Sequence, residues 1–486
     1  MNILPPYPLR FLLLLFFLTL SGVACVNVSQ VDPSTEYISD FVPFEVTPDS
    51  GQPEIRLNST QAFPPGTELR ILQWEHFVPA YDIWFDEFAR TWGEQVGVEV
   101  TVDHIDISEV PDVLAAELAA GAGHTLVETL FPPSAFIEGL HDLTELNQEA
   151  IELFGPQVKT CKANSYLPTI DSYYAFCHGY VPDPGNYNTE LWGAVGYPDG
   201  PTTYAELLAG GEAIYERFDI PVGLGLSPEL DSEMANRAVI WSFGGAIQDI
   251  NENVVLNSPE TVAAVAYMAD LYQKSMTDDV YSWDPFTNNQ RFINGEVSYI
   301  LNSISAYRTL QELDGDEAQK IGFVQALDGP AGAYASSHTW QIYAVPKYTT
   351  EAEFEAAKAF MLHLTINYNQ AVFHSRFYNF PAFPTTSPQL FAEDGWLADD
   401  PFGSQPADKL QVLANAEEWG VHLGYPGVAN PAIGEVFTKN IVTEMVARVT
   451  RGEMTAEASV AQAEREVDSI FDKWREKGLV GGNPLP

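Results

Sequence analysis

The stretch Glu68-Leu69-Arg70-Ile71-Leu72-Gln73-Trp74 begins the folded part of the chain and indicates its fold class. Its apolar and polar residues alternate, as in a half-buried strand. A helical pattern of apolar residues then starts at Tyr81 and ends near Gly93 or Gly97, and Val98-Glu99-Val100-Thr101-Val102 follows as a second strand. Strand, helix and strand in this order are the unit of a parallel sheet, so we predict an α/β fold.

The next segments continue the same alternation. Residues 109–120 have a helical pattern, and residues 126–131 form an apolar run that predicts a third strand. Between them lies Gly121-Ala122-Gly123, which matches half of a dinucleotide-binding fingerprint. The order is wrong for phosphate binding, because these glycines follow a helix and precede a strand. We therefore interpret Gly121 as a helix C-cap.

The charge of the chain excludes one class of partner. Its 67 acidic and 23 basic residues give a formal net charge of −44. Such a surface repels nucleic acid and has no basic stripe to neutralise phosphates. Because the acidic residues are spread along the whole chain, a solvated acidic surface explains them better than a cation site does.

The N-terminus has the features of an export signal. The apolar run from Phe11 to Leu20 follows Arg10 and leads to Gly22-Val23-Ala24, so we predict a signal peptide over residues 1–24. The next residue, Cys25, is the expected lipid attachment point of a bacterial lipoprotein, and residues 25–67 are polar and proline-containing, as in a flexible tether. Leu20 lies five residues before Cys25 instead of three, which leaves simple secretion as the alternative.

The other cysteines, Cys161 and Cys177, fit the same compartment. Two cysteines in an exported protein can pair, so we predict a disulfide between them. No CxxC motif or Cys/His cluster is present, and the nine histidines form no HExxH pattern, so we predict no metal site and no cofactor.

The remainder of the chain contains several helix and strand signals. Thr202 or Thr203 and Ser258 are expected N-caps of two helices, and residues 222–226 read as a strand. The apolar periodicity of residues 433–449 predicts one long helix, and Thr455 is the expected cap of the last one.

Four segments in this part of the chain stand out. They are Tyr187-Asn188-Thr189-Glu190-Leu191, Pro201-Thr202-Thr203-Tyr204-Ala205-Glu206-Leu207, Phe292-Ile293-Asn294-Gly295-Glu296 and Arg451-Gly452-Glu453-Met454-Thr455. Taken together, they resemble motifs of the family 1 extracellular solute-binding proteins, the carbohydrate-type receptors of ABC importers related to maltose-binding protein. Their order and spacing agree with the family from about Glu68 to Lys477. The usual G-x-x-P-D at the end of the second helix is missing, since Gly121-Ala122-Gly123-His124-Thr125 stands there.

The resemblance implies a type II periplasmic-binding-protein fold with two α/β lobes, a hinge between them and a ligand cleft at their interface. By position, the first lobe takes residues 68–178 and 330–377, and the second takes residues 179–326 and 379–486. It also implies a protein of the cell envelope that delivers its ligand to permease subunits. We expect a monomer that contacts the membrane through its lipid anchor alone.

Candidate ligand contacts are aromatic and polar residues at strand ends and helix ends, because sugar pockets combine flat aromatic surfaces with paired hydrogen-bonding groups. Each has core packing as its alternative role, and Trp340 and Tyr425 are the favoured aromatic platforms. The full set is Trp74, Glu75, His76, Phe131, Tyr180, Trp241, Asn302, Tyr307, Trp340 and Tyr425.

These features favour a receptor that captures a sugar or oligosaccharide for import and has no catalytic residues. The competing hypothesis is a secreted carbohydrate-active hydrolase, which also needs an aromatic cleft and two carboxylates. The two differ in whether the ligand is released unchanged.

Overall fold

The computed structural model of the protein describes residues 63–481. The predicted signal peptide, Cys25 and most of the predicted tether lie outside the described residues.

The strands are short, and nine of them form two larger sheets. Their bounds are β1 Glu68–Trp74, β2 Glu99–Ile105, β3 Leu126–Thr129, β4 Tyr166–Leu167, β5 Ser172–Tyr173, β6 Phe176–Val181, β7 Gly185–Asn188, β8 Tyr299–Leu301, β9 Ile321–Val324, β10 Asp328–Gly329, β11 Gly332–Ala333, β12 Ala335–Ser336, β13 Thr339–Ala344, β14 Phe380–Pro381 and β15 Gly420–Val421.

The helices make up most of the remaining described structure. Their bounds are α1 Ala80–Val96, α2 Val110–Ala120, α3 Thr144–Phe154, α4 Lys159–Ala163, α5 Thr189–Ala194, α6 Tyr204–Phe218, α7 Leu230–Phe243, α8 Pro259–Ser275, α9 Thr287–Ile293, α10 Ser305–Leu313, α11 Gly315–Ala318, α12 Glu351–Ile366, α13 Tyr368–His374, α14 Pro388–Phe391, α15 Ala416–Trp419, α16 Pro431–Thr438, α17 Ile441–Thr450 and α18 Ala456–Glu476.

The larger sheet has six strands in the order β14-β6-β13-β3-β1-β2. Strand β1 pairs in parallel with β2 and β3, as the strand–helix–strand pattern predicts, and β13 pairs antiparallel with β3 and β6. Helices α1 and α12 pack together on this sheet through aromatic residues: the ring of Phe360 lies 5.9 Å from that of Phe85 and 5.2 Å from that of Trp92. The predicted α/β class is confirmed.

The smaller sheet has three strands in the order β8-β7-β9. Strand β7 pairs antiparallel with both neighbours. Because β6 belongs to the larger sheet and β7 to the smaller one, residues 182–184 carry the chain from one sheet to the other.

Local capping signals in the sequence predict helix boundaries well. The hydroxyl of Thr203 accepts from the backbone of Glu206, and that of Ser258 accepts from the backbone of Thr261, so both predicted N-caps are confirmed. Gly121 ends α2 with φ 66°, a left-handed conformation that glycine adopts at little cost, which confirms the C-cap.

Two predicted elements are wrong. Residues 222–226 form no strand: their backbone bonds go singly to Ser275, Tyr299 and Val280 and make no ladder. The helix predicted over residues 433–449 is divided into α16 and α17, because Asn440 has a left-handed φ of 51° that interrupts the helical backbone.

Cys161 on α4 and Cys177 on β6 are joined by a disulfide, with their Cα atoms 5.4 Å apart. Both cysteines are fully buried. The bond ties α4 to a central strand of the larger sheet. No helix within residues 63–481 combines the length and hydropathy needed to cross a membrane.

Candidate functional site

The strongest concentration of buried polar side chains lies where the chain passes between the two sheets. Six of these side chains define what we call the inter-sheet polar cluster. They are Asp183, Asp231, Asn288, Asn302, His338 and Tyr378. Asp183 lies on the connection from β6 to β7, and His338 immediately precedes β13, so two separate connections between the sheets contribute to it.

His338 lies between the two carboxylates. Its Nδ1 atom is 3.3 Å from Oδ1 of Asp183, and its Nε2 atom is 3.7 Å from Oδ1 of Asp231. The other oxygen of Asp231 accepts hydrogen bonds from Asn288 at 2.7 Å and Asn302 at 2.9 Å. The imidazole and the two amides therefore hold Asp231, at the start of α7, against the connection that precedes β13.

Burial sets the protonation of this cluster. Asp183 is 0% exposed and Asp231 5% exposed. Burial raises the pKa of Asp183, and it raises that of Asp231 to about 6 although His338 opposes the shift. Burial by itself lowers the pKa of His338, but Asp231 and Asp183 together outweigh it, so the net shift is upward.

Several polar atoms of the cluster have no hydrogen-bond partner in the described structure. They are both carboxylate oxygens of Asp183, Oδ1 of Asp231, both ring nitrogens of His338, the hydroxyl of Tyr378 and, beside them, Oγ1 of Thr339. A buried polar atom left without a hydrogen bond costs about 1–3 kcal/mol, and native proteins satisfy nearly all such atoms. The arrangement therefore suits a polar ligand that forms hydrogen bonds with these atoms.

Aromatic rings surround this cluster on the side of the larger sheet. Trp74, at the end of β1, stacks on His76 with ring centroids 4.7 Å apart and lies 6.3 Å from Tyr378. Phe77 meets Phe286 edge to face at 5.2 Å and lies 6.5 Å from His338. Because Phe286 immediately precedes α9, this aromatic contact joins the loop after β1 to the part of the chain that carries Asn288.

A second aromatic group lies near the other end of α7. The ring of Tyr425 is 6.3 Å from Trp241, 5.3 Å from Tyr334 and 6.3 Å from His422. Asp231 and Trp241 are both on α7, about 15 Å apart along its axis at 1.5 Å per residue. Helix α7 thus connects the polar cluster to this aromatic group.

The segment that carries Tyr425 is fixed by a buried amide. The Nε2 atom of Gln248 donates to the carbonyls of Gly424 at 2.8 Å and Val428 at 2.7 Å. Its Oε1 atom accepts from Asn430 at 2.8 Å. Tyr425 is therefore presented by a loop that is held at both ends.

The structure brings some of the predicted site residues together and separates others. Trp74, His76 and Asn302 lie in or beside the polar cluster, and Trp241 and Tyr425 share the second aromatic group.

The other five predicted residues lie elsewhere or face solvent. Glu75 is exposed, and Tyr180 and Trp340 lie opposite each other on neighbouring strands of the larger sheet. The ring of Phe131 packs on that of Phe437, with centroids 5.2 Å apart. The hydroxyl of Tyr307 donates to Ser404. Trp340 is 0% exposed, so it offers no free face in this arrangement.

Sequence reasoning missed five members of the cluster, which are Asp183, Asp231, Asn288, His338 and Tyr378. Two signals were available: Asp183 interrupts an apolar run within Val181-Pro182-Asp183-Pro184-Gly185, and His338 belongs to a polar run, Ser336-Ser337-His338-Thr339, directly before a buried strand. Polar residues at strand ends commonly line ligand sites in α/β folds.

Two surface cavities lie apart from the cluster. One of about 90 Å³ is lined by Tyr307, Gln311 and Phe402 among others, and one of about 640 Å³ is lined by residues of α17 and α18 that include Ile441 and Arg465. Within residues 63–481, no group of three or more His, Cys, Asp or Glu side chains is arranged to hold a metal ion.

Comparison with known proteins agrees with this architecture. A family described as bacterial extracellular solute-binding protein matches residues 84–401. No curated protein sequence matches the chain.

Solved structures with the same fold cover most of the chain. The maltose-bound MalE3 of T. maritima is 19% identical with a TM-score of 0.69, over 83% of this chain and all of that one. The GacH receptor of Streptomyces glaucescens, solved unliganded and with acarbose, is 16% identical with a TM-score of 0.67, over 84% of this chain and 98% of that one. A putative oligosaccharide periplasmic-binding protein from Synechococcus sp. MITs9220 is 19% identical with a TM-score of 0.69, over 84% and 100%. The predicted two-lobed periplasmic-binding fold is confirmed.

Proposed function

The chain belongs to the bacterial extracellular solute-binding proteins, and from this premise we propose that it captures a sugar or oligosaccharide outside the cytoplasm and delivers it to an ABC importer. The observation that carries the proposal is the inter-sheet polar cluster with its unpartnered oxygens and nitrogens. Sugar hydroxyl groups both donate and accept hydrogen bonds, so they can satisfy carboxylates, amides and an imidazole at once. The relatives solved with maltose and with acarbose support a saccharide as the ligand.

The proposed ligand position is between the lobes. We place the lobes at residues 68–178 with 330–377 and at residues 179–326 with 379–486. With these bounds Asp183 lies in the second lobe and His338 in the first, each within ten residues of a crossing between the lobes. Binding would draw the lobes together, with a free energy equal to the difference in affinity between closed and open states.

Aromatic residues complete the proposed site. Half-buried Phe77 from the first lobe would cover one side of the ligand, and half-buried Tyr425, which packs against Trp241 of α7, would extend the surface. A ring stacked on the apolar face of a sugar excludes water and leaves the hydroxyl edges to the polar cluster. The length of α7 between Asp231 and Trp241 favours an oligosaccharide over a single sugar unit.

Location is the second part of the proposal. Membership of an extracellular family supports the predicted export signal over residues 1–24. We propose that cleavage after Ala24 exposes Cys25, that Cys25 carries the lipid anchor, and that the mature protein is a monomer. Membrane fractionation of wild type and Cys25→Ser tests this: the wild type should be in the membrane fraction and the variant in the soluble one.

The binding test is a thermal-shift screen against saccharides. A ligand at 100 times its Kd adds about 2.7 kcal/mol to the free energy of unfolding. Asn302→Ala should remove most of that shift, because it takes away the amide that holds Asp231. The exposed Asn294 is a matched control, since Asn294→Ala changes the same residue type away from the cluster. If no saccharide stabilises the wild type, the proposed function is wrong.

The same experiment separates the receptor from a hydrolase. A receptor releases its ligand unchanged, so chromatography after prolonged incubation should recover the intact saccharide. Appearance of shortened sugars in proportion to protein and time would establish the enzyme instead.

A further inference from the structure

We propose that the cleft prefers saccharides that carry an amino group over neutral or acidic saccharides of the same skeleton. This inference deepens the proposed function and rests on it. It is based on the charges of the inter-sheet polar cluster and on whether its unpartnered atoms accept or donate hydrogen bonds.

The charges facing the cluster are predominantly negative. Asp183 and Asp231 are within ion-pair distance of His338, and no lysine or arginine in residues 63–481 forms an ion pair with either carboxylate. Glu229 adds a third, half-buried carboxyl just before α7, where its oxygens accept from the backbone of Asp231 and Ser232 at 2.7 and 2.6 Å.

The buried arginines of this region are already paired. Arg237 binds Glu233 at 3.1 Å and Arg308 binds Asp400 at 2.7 Å, and all four side chains are at most 2% exposed. His338 is therefore the cation that the described structure offers to Asp183 and Asp231.

The unpartnered atoms are mainly acceptors. Both oxygens of Asp183 and Oδ1 of Asp231 can only accept when ionised, and the hydroxyls of Tyr378 and Thr339 can do so as well. An ammonium group has three donors and a positive charge, which matches this set better than one hydroxyl does. A carboxylate on the sugar would instead lie beside like charges in a buried, weakly screened place.

The chain as a whole reinforces this preference. With a formal net charge of −44, the surface attracts cationic solutes and repels anionic ones before they reach the cleft. Salt screens this attraction, whereas contacts within the buried cluster are screened much less.

Proton release gives an independent readout. Glu229 has a pKa raised to about 8, by burial and then by Asp231, and Asp231 has one raised to about 6. A bound ammonium group favours the ionised forms of these two and of Asp183. His338 and Tyr378 also face the site. A bound cation disfavours the protonated, positively charged form of His338, so His338 would release a proton as well. Binding of an amino sugar near pH 7 should thus release protons from the protein.

The experiment uses calorimetric titration of the exported protein with disaccharides that share one β-1,4-linked glucose skeleton and differ in charge. The probes are the glucosamine disaccharide, cellobiose and cellobiuronic acid, with equivalent charge series on any skeleton that stabilises the protein in the screen. We expect the amine to bind at least about tenfold more tightly than the neutral sugar, as charge-assisted hydrogen bonds predict. We also expect the acid to bind more weakly than both, and the heat of amine binding to depend on the buffer through released protons.

Variants assign the preference to the cluster. Asp183→Asn keeps the shape of the side chain and should reduce the amine-to-neutral affinity ratio by about tenfold. The exposed Asp394 gives the matched control, since Asp394→Asn makes the same charge change elsewhere. Asp231→Asn tests the other carboxylate in the same way. The affinities of the wild type for the three sugars test the amine preference even if neither variant folds.

The outcomes are distinct. If no saccharide of any charge binds, the proposed function fails and this inference falls with it. If neutral sugars bind but their amino counterparts bind no more tightly, the function stands and the amine preference is wrong. If the wild type prefers the amine but Asp183→Asn and Asp231→Asn both leave the ratio unchanged, the function stands and the inter-sheet polar cluster is not the cause of the preference, which overturns this inference.

Discussion

Replacing Gln248 with alanine should destabilise the protein and weaken ligand binding, because this amide fixes the loop that presents Tyr425. Gln248 is 0% exposed and makes three side-chain hydrogen bonds, to the carbonyls of Gly424 and Val428 and from Asn430. Asn430 keeps a second bond, to Glu252 at 2.8 Å, but both carbonyls lose the Gln248 donor.

The magnitude follows from these contacts. At about 1 kcal/mol per hydrogen bond, Gln248→Ala should lower the free energy of unfolding by about 3 kcal/mol. Gln248→Glu should be at least as damaging, because its carboxylate has no hydrogen to donate and would lie against two carbonyl oxygens and Glu252.

Urea denaturation followed by tryptophan fluorescence measures the effect, and titration with a saccharide from the screen measures the affinity. The matched control is Gln95→Ala, since Gln95 is exposed on α1. Exposed substitutions usually change stability by less than about 0.5 kcal/mol. If Gln248→Ala is no more destabilising than Gln95→Ala, the loop does not depend on this amide and the reasoning is refuted.

Three further predictions concern stability. Opening the disulfide with Cys161→Ser and Cys177→Ser should cost about 3 kcal/mol in urea denaturation, because the bond closes a loop with a sequence separation of 16, while sugar affinity stays unchanged. Arg308→Met or Asp400→Ala alone should lower the free energy of unfolding by about 3–5 kcal/mol, because each leaves a buried charge unpaired. The double variant should lose clearly less than the sum of the two single losses, and strict additivity would contradict the pairing. Burial lowers the pKa of His76 to about 3. Below about pH 6.5 the unfolded chain therefore takes up a proton at His76 that the folded chain does not, and the free energy of unfolding falls as the pH falls. His76→Asn should therefore lose about 3 kcal/mol less than wild type between pH 7 and pH 4, and equal losses would show that His76 does not cause the dependence.

Sequence patterns predict the parts of the fold that depend on neighbouring residues. The strand β1, the cap at Ser258 and the glycine that ends α2 depend on local sequence, and the structure has each of them. The half-buried character predicted for β1 is wrong over residues 71–74, because the strand lies inside the larger sheet and all four residues are buried. The break at Asn440 was not predictable from periodicity, since the apolar residues of α16 and α17 keep a helical spacing across it.

The candidate site is harder to predict from the sequence, for a different reason. Asp183, Asp231 and His338 are far apart in the chain and meet only through the packing of α7 against the connections between the sheets. Asn302 was predictable because it is a polar residue directly after a strand, Tyr299–Leu301. Trp340 was a reasonable platform by residue type, but the pairing of β13 inside the larger sheet buries it completely.

A crystal structure of the protein with the saccharide that stabilises it most would locate the ligand. We expect the sugar between the two sheets, with hydroxyl or amino groups bonded to Asp183, Asp231 and Tyr378 and a sugar face against Phe77 or Tyr425. A sugar bound instead in the surface cavity beside α17 and α18, with the inter-sheet polar cluster untouched, would contradict this expectation.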